Sequence, residues 1–291
     1  MKIAIDSYCY HRHFGEIYPG LETDPGTRMT MDDFVARAQA LGVAGVSLES
    51  CFFPQADAGT LARLRERLDA AGLERVWAWG HPHGLRSGDD LAAADDLVRH
   101  IGIAQAVGAS VMRICCGGRR TRPANWTEHR AKLLPILKRV VGPAEAHGVV
   151  LAIENHIDLL ADELVELIET VDSPWLGVCL DTANNLRMIE DPVEAARKLA
   201  PYARATHIKD ITANTTRKVG HPRDFAFWPS VPVCQGLIDM PAIFALLRDA
   251  NYDGLLALEI DYLHPACMVD GSADAAIAQS LETMRGLLIA R

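Results

Sequence analysis

The sequence predicts a single eight-stranded β/α barrel, and three observations predict it. Short apolar runs of strand character alternate with helical patterns from end to end. Almost every run closes on a polar or ionisable residue. No linker, charge block or low-complexity tract divides the chain, whose 291 residues suit one such barrel as one domain over 1–291.

The strand candidates, in order, are Lys2–Tyr8, Ala44–Ser50, Arg75–Gly80, Ser110–Cys116, Val149–Asn155, Leu176–Thr182, Ala203–Asp210 and Gly254–Ile260. Each is short and mostly apolar, as a parallel strand buried on both faces must be. The helical segments between them begin with Met31–Leu41. Thr30 caps it, Asp32 and Asp33 occupy its first turn, and Gly42 follows its end. Ala58–Ala71, Asp89–Val107, Glu128–His147, Asp162–Val171, Pro192–Ala200, Pro241–Ala250 and Ser272–Ala290 complete the set. Pro192 and Pro241 suit first-turn positions, where a missing N–H is not felt. Strict alternation favours a closed barrel over an open doubly wound sheet, and no Gly-x-Gly-x-x-Gly follows any strand. One connection is long: residues 211–239, rich in Pro, Gly and aromatics, are expected to form a lid over the barrel mouth.

Composition bounds the function. Hydrophobic residues at 49% and charged residues at 23% allow a large core and argue against disorder. A net charge of −9 makes non-specific nucleic-acid binding unfavourable, because phosphate contacts need clustered cations. The seven cysteines are odd in number and form no Cys-x-x-Cys pair, which fits a reducing cytoplasm. The N-terminus becomes polar too early for a signal peptide, and no apolar run reaches the roughly 20 residues a membrane span requires. The expectation is a cytoplasmic protein with a small-molecule substrate and no nucleic-acid or membrane partner. Self-association into a homo-oligomer is left open.

In a barrel of this kind the chemistry sits at the strand C-termini and the loops after them. Those positions hold Asp6, Glu49, His81 and His83, Arg113, Glu154, Asp181, His207 and Glu259. Glu154, Asp181, His207 and Glu259 fall on consecutive strands five to eight. Three carboxylates and an imidazole would make an O₃N site for one divalent ion. Mn²⁺ is the first choice, and Mg²⁺, Co²⁺ or Zn²⁺ are the alternatives. Taken singly, each residue could equally be a polar cap on a strand.

With these residues, the sequence resembles the sugar isomerase/epimerase family, the xylose-isomerase-like barrels that include ketose 3-epimerases. The resemblance runs through Glu154-Asn155-His156, Cys179-Leu180-Asp181-Thr182 and His207-Ile208-Lys209-Asp210. It includes Gln235-Gly236-Leu237-Ile238-Asp239, similar to the family's Gly-x-Gly-x-Asp stretch with Cys234 in place of the first glycine. The resemblance implies that Glu154, Asp181, His207 and Glu259 bind the metal. It also implies that Glu154 and Glu259 transfer the substrate's protons while the metal stabilises an enediolate. One departure stands out: the epimerases carry a histidine three residues after the metal-binding aspartate, where this chain has Asn184.

Candidate substrate contacts are His11, His81, His83, Arg113, His156, Asn184 and Lys209. Arg113 reads two ways, as a fork for a substrate carboxylate or phosphate, or as the partner of a neighbouring Glu49 or Glu154. Two enzymatic outcomes follow. The first is isomerisation or epimerisation of a keto sugar. The alternative is a lyase that decarboxylates or dehydrates a keto sugar acid such as 3-oxo-isoapionate. Such a lyase needs one proton donor and a cationic carboxylate site, a requirement that Asn184 and the cationic mouth favour. An endonuclease-IV-like nuclease would need a fuller metal cluster and a basic face, and a barrel that only binds ligand would not need the full ligand set.

Overall fold

A computed structural model describes residues 1–53, 57–213 and 228–289. Eight parallel strands close into one barrel: β1 Lys2–Asp6, β2 Gly45–Glu49, β3 Glu74–Ala78, β4 Val111–Ile114, β5 Val150–Glu154, β6 Leu176–Asp181, β7 Ala203–Ile208 and β8 Leu255–Leu258. Around them lie α1 Met31–Ala40, α2 Ala58–Ala70, α3 Leu91–Ala106, α4 Trp126–His147, α5 Ala161–Val171, a short α6 Asn184–Arg187, α7 Pro192–Leu199, α8 Met240–Asp249 and α9 Asp274–Ile289.

Local chemistry explains the element ends. Thr30 and Asp33 form a reciprocal capping box at the start of α1. Pro192 and Pro241 lie in the first turns of α7 and α8. Three details differ from the sequence reading. The first strand stops at Asp6 because its carboxylate accepts the Tyr8 N–H at 2.6 Å and turns the chain into 3₁₀ coils over Ser7–Phe14. The last strand stops at Leu258, which leaves Glu259 just beyond the sheet. Helix α6, absent from the sequence reading, starts where Asp181 Oδ1 accepts the N–H groups of Ala183 (2.8 Å) and Asn184 (2.9 Å).

Strand register positions the mouth. Side chains alternate in and out along a strand, and residues paired across strands share a face. Ala4 pairs with Ala257 and with Gly45, Glu154 with Cys179, and Asp181 with His207, which also pairs with Ala257. Small residues therefore fill the barrel interior, where Ala4, Val76, Ala152, Cys179, Ala205, Leu255 and Ala257 pack together. Two residues further along each strand, the same inward face presents Asp6, Glu49, Ala78, Arg113, Glu154, Asp181, His207 and Glu259. The larger apolar side chains, among them Trp77, Leu97, Ile101 and Phe244, fill the layer between strands and helices. Removing one such side chain costs about 2–5 kcal/mol.

The expected lid over residues 211–239 is described at its two ends; residues 214–227 lie outside the described residues. Asp210–Ile211 pairs antiparallel with Ser230–Val231. The Asp210 carboxylate accepts the N–H groups of Gly236 (2.9 Å) and Ile238 (3.2 Å). A Cβ at position 236 would lie 2.1 Å from Asp210 Oδ1, so only glycine fits. Cys234, standing where the resembled motif has its first glycine, holds φ = 67°, a left-handed conformation that glycine adopts without strain.

Candidate active site

The inward ring at the mouth is buried throughout: Asp6, Glu49, Glu154, Asp181 and His207 are each at most 4% exposed. Burying so many charges is costly unless they are paired or bound to a cation. One oxygen of Asp181 is satisfied by the start of α6, and Asn155 clamps the backbone of the same residue, donating to its carbonyl at 2.7 Å and accepting its N–H at 2.7 Å. The free oxygen, Oδ2, faces the ring without a hydrogen bond. Lys209 Nζ stands 2.9 Å from it, an ion pair out of hydrogen-bond alignment.

His207 is held between Glu259 Oε2 (2.9 Å from Nδ1), Glu154 Oε2 (3.7 Å) and Asp6 Oδ2 (3.5 Å from Nε2). Neither ring nitrogen makes an aligned hydrogen bond. Burial opposes charge on this imidazole, but Glu259, Asp6 and Glu154 outweigh it and raise its pKa well above the ordinary value. Ligand atoms of Glu154, Asp181 and His207 lie within 4.8 Å of one another. Glu259, the fourth residue of the sequence expectation, borders this triad through His207 and through Lys209, whose Nζ donates at 3.2 Å.

This donor set fits a divalent cation. Buried, unaligned donor atoms converge from three strands. The carboxylates of Asp6, Glu49, Glu154, Asp181, Glu259 and Asp261 outnumber the fixed cations Arg113, Arg187 and Lys209 that face them. Oxygen and nitrogen donors of this kind suit Mn²⁺, Mg²⁺, Co²⁺ or Zn²⁺.

The two glutamates are held differently. Glu154 Oε1 accepts the Asn184 amide at 2.9 Å, and its Oε2 lies near Cys115 Sγ (3.5 Å) and Arg113 Nε (3.4 Å). Burial alone would raise its pKa, yet His207 and Arg113 hold it well below the usual carboxylate range. Glu259 is likewise buried and is drawn down, to about 2, by Lys209 and His207.

The other expected contacts divide into two groups. Asn184, Lys209 and His156 belong to the mouth, with His156 Nδ1 2.8 Å from the Gly117 carbonyl. His81 stacks on Trp79 at 5.0 Å, half-buried at the edge, and His83 is exposed on the following turn. His11 is turned inward instead. Its Nδ1 meets Tyr8 O at 2.8 Å and its Nε2 meets the Glu22 carboxylate at 3.0 Å, so both ring nitrogens are engaged within the fold. Arg113, read from sequence as either a substrate fork or a brace, is paired with Glu49 and reaches Glu154. The brace is the geometry found. Residues that sequence reasoning missed are Asn155 as a clamp, Arg187 bonded to Asp261 at 2.9 Å, and Asp261 itself. The available signal was a second carboxylate, Asp261, two residues after Glu259 in the segment that leaves the last strand at the mouth.

Residues 35–287 match the family model described as xylose isomerase-like TIM barrel. This chain belongs to that family. Among curated proteins, a 3-oxo-isoapionate decarboxylase of Pectobacterium atrosepticum is 27% identical over 150 residues, 52% of this chain and 49% of that protein. An inosose dehydratase of Clostridium beijerinckii is 27% identical over 129 residues, 40% of this chain and 42% of the relative. The matches thus span about half or less of the curated relatives' length. The crystal structure of an IolI protein with a bound zinc atom shares the fold with a TM-score of 0.74, at 14% identity over 99% of this chain and 98% of that one. Among the described residues no helix is long and apolar enough to cross a membrane.

Proposed function

We propose that this protein is a divalent-metal-dependent lyase acting on a small keto sugar acid, with loss of CO₂ from a β-keto carboxylate as the reaction. The observation that carries this reading is that fixed donors hold both glutamates ionised. An epimerase needs two bases on opposite faces of one carbon, each able to take up a proton. Glu154 is occupied at one oxygen by the Asn184 amide and flanked at the other by Arg113, both donors that oppose protonation. Glu259 is held ionised as well, by Lys209 and His207, so neither glutamate takes up a proton readily.

The bound ion would polarise the carbonyl beside the breaking bond. Glu154, Asp181 and His207 would hold it, with Glu259 at its border. When the bond to the carboxylate breaks, its electron pair stays on the α-carbon. Lys209, an ammonium held by Glu259, is the group placed to deliver the proton that this carbon then takes up. The similarity to a 3-oxo-isoapionate decarboxylase and to an inosose dehydratase supports a lyase outcome. Epimerisation of a neutral keto sugar is the second reading, favoured by Glu154 and Glu259 both reaching the same imidazole.

The test is NMR in D₂O with Mn²⁺ and a panel of keto sugars and carboxyl-¹³C-labelled 3-oxo sugar acids. Labelled CO₂ with one deuteron in the product is expected. Deuterium exchange with every carbon retained would replace the lyase with the epimerase.

A further inference from the structure

We infer that Asn184, expected from sequence to contact substrate, is instead a positioning residue that leaves Glu154 and Asp181 one oxygen each for the metal. This rests on the metal-dependent reading above and deepens it. Asn184 is 1% exposed and opens α6, three residues after Asp181. Its main-chain N–H donates to Asp181 Oδ1 at 2.9 Å, and its side-chain amide donates to Glu154 Oε1, also at 2.9 Å. One residue therefore takes one oxygen from each of two carboxylates on the neighbouring strands β5 and β6. The oxygens left over are Asp181 Oδ2, which has no aligned hydrogen bond, and Glu154 Oε2, 3.7 Å from His207 Nδ1. Glu154, Asp181 and His207 are also the three residues whose ligand atoms converge.

The direction of the amide is set by a third group. Arg187, which carries donors only, turns Nη1 toward Asn184 Oδ1 at 3.4 Å, so the NH₂ end lies on the Glu154 side. Arg187 is itself held by Asp261 at 2.9 Å and donates to the Trp228 carbonyl at 2.8 Å. The chain of contacts thus runs from Trp228 and Asp261 through Arg187 and Asn184 to Glu154. Arg187, Asp261 and Glu154 are all buried, so water competes little for these bonds.

The physical consequence is pre-organisation. A carboxylate free to rotate must be ordered when it takes a metal, and fixing one oxygen beforehand removes that cost and aims the other. The main-chain half of the clamp, on Asp181, needs only an N–H and survives any side-chain change at position 184 except proline. Side-chain variants therefore test the Glu154 half alone.

The test is calorimetric titration of the full chain, stripped of metal by chelator, with Mn²⁺ alone. Asn184→Leu keeps the bulk and removes the donor, and should lose about 10- to 100-fold in Mn²⁺ affinity, the range for an outer partner of a metal ligand. Asn184→Gln keeps an amide donor and should recover part of that loss, a rescue that filling space would not give. If Asn184→Leu does not fold, Asn184→Ala carries the same expectation, since it too lacks the donor. Unchanged affinity in the variant without the donor, with wild type binding one ion, would overturn the role of Asn184 and leave the triad standing. Equal losses in Asn184→Gln and the variant without the donor would reduce the residue to packing and overturn the role as well. A wild type that binds no Mn²⁺ would overturn the triad itself and the metal-dependent reading with it.

Discussion

Arg113→Ala distinguishes a brace from a substrate contact. The guanidinium is 8% exposed and lies against Glu49, 2% exposed, and Glu154, 4% exposed. Its removal leaves two buried carboxylates without their shared cation, a change that typically costs about 3–5 kcal/mol. For a chain of this size each kcal/mol lowers the melting temperature by roughly 2–3 °C, so a fall of roughly 6–15 °C is expected. A divalent ion near Glu154 would replace part of the lost charge, so the fall should be smaller in Mn²⁺ than in chelator. Thermal melts in both conditions measure this, alongside kcat/KM for a keto sugar acid and its neutral analogue. The brace predicts losses on both substrates together. An unchanged melting temperature with a loss confined to the acid would refute the reasoning and return Arg113 to the substrate.

Four further outcomes follow. Purified protein should hold about one divalent ion per chain, and Asp181→Asn or His207→Ala should reduce that content in elemental analysis; full retention in both would remove the triad as the metal site. Glu259→Gln should lower turnover about 10²–10⁴-fold while metal content persists, and near-normal kcat would take Glu259 out of proton transfer. Asp158 is buried with both oxygens unpaired, and burial raises its pKa to about 6. Its ordinary value lies near 3.9, so folding loses stability as pH rises from about 4 through about 6. Asp158→Asn should therefore melt with wild type near pH 4 and above it at pH 8, and a pH-independent difference would contradict the assignment. Cys234→Gly should raise stability by about 0.5–1 kcal/mol by relieving the left-handed strain, less the entropy glycine loses on folding; a lower melting temperature would show that the thiol matters more.

The sequence by itself determined the barrel, its eight strands and the residues at their C-terminal ends, because a strand buried on both faces must be apolar until it reaches the mouth. The pattern is plainer still in pairs two apart: Ala152-x-Glu154, Cys179-x-Asp181, Ala205-x-His207 and Ala257-x-Glu259 each place a small interior residue beneath an ionisable one. Period-two alternation turns such a pair inward as a unit, so candidate ligands were readable before any contact was known. What only tertiary structure decided is which charge answers which. Arg113 and Glu49 are 64 residues apart and Lys209 and Glu259 are 50 apart, and their pairing follows from barrel closure and strand stagger. The same holds for His11, whose engagement by Glu22 depends on how the chain folds back after β1. A lone cation in a sequence does not reveal whether a carboxylate reaches it. Electrostatic energy depends on distance and burial, and both are set across strands by the closed barrel.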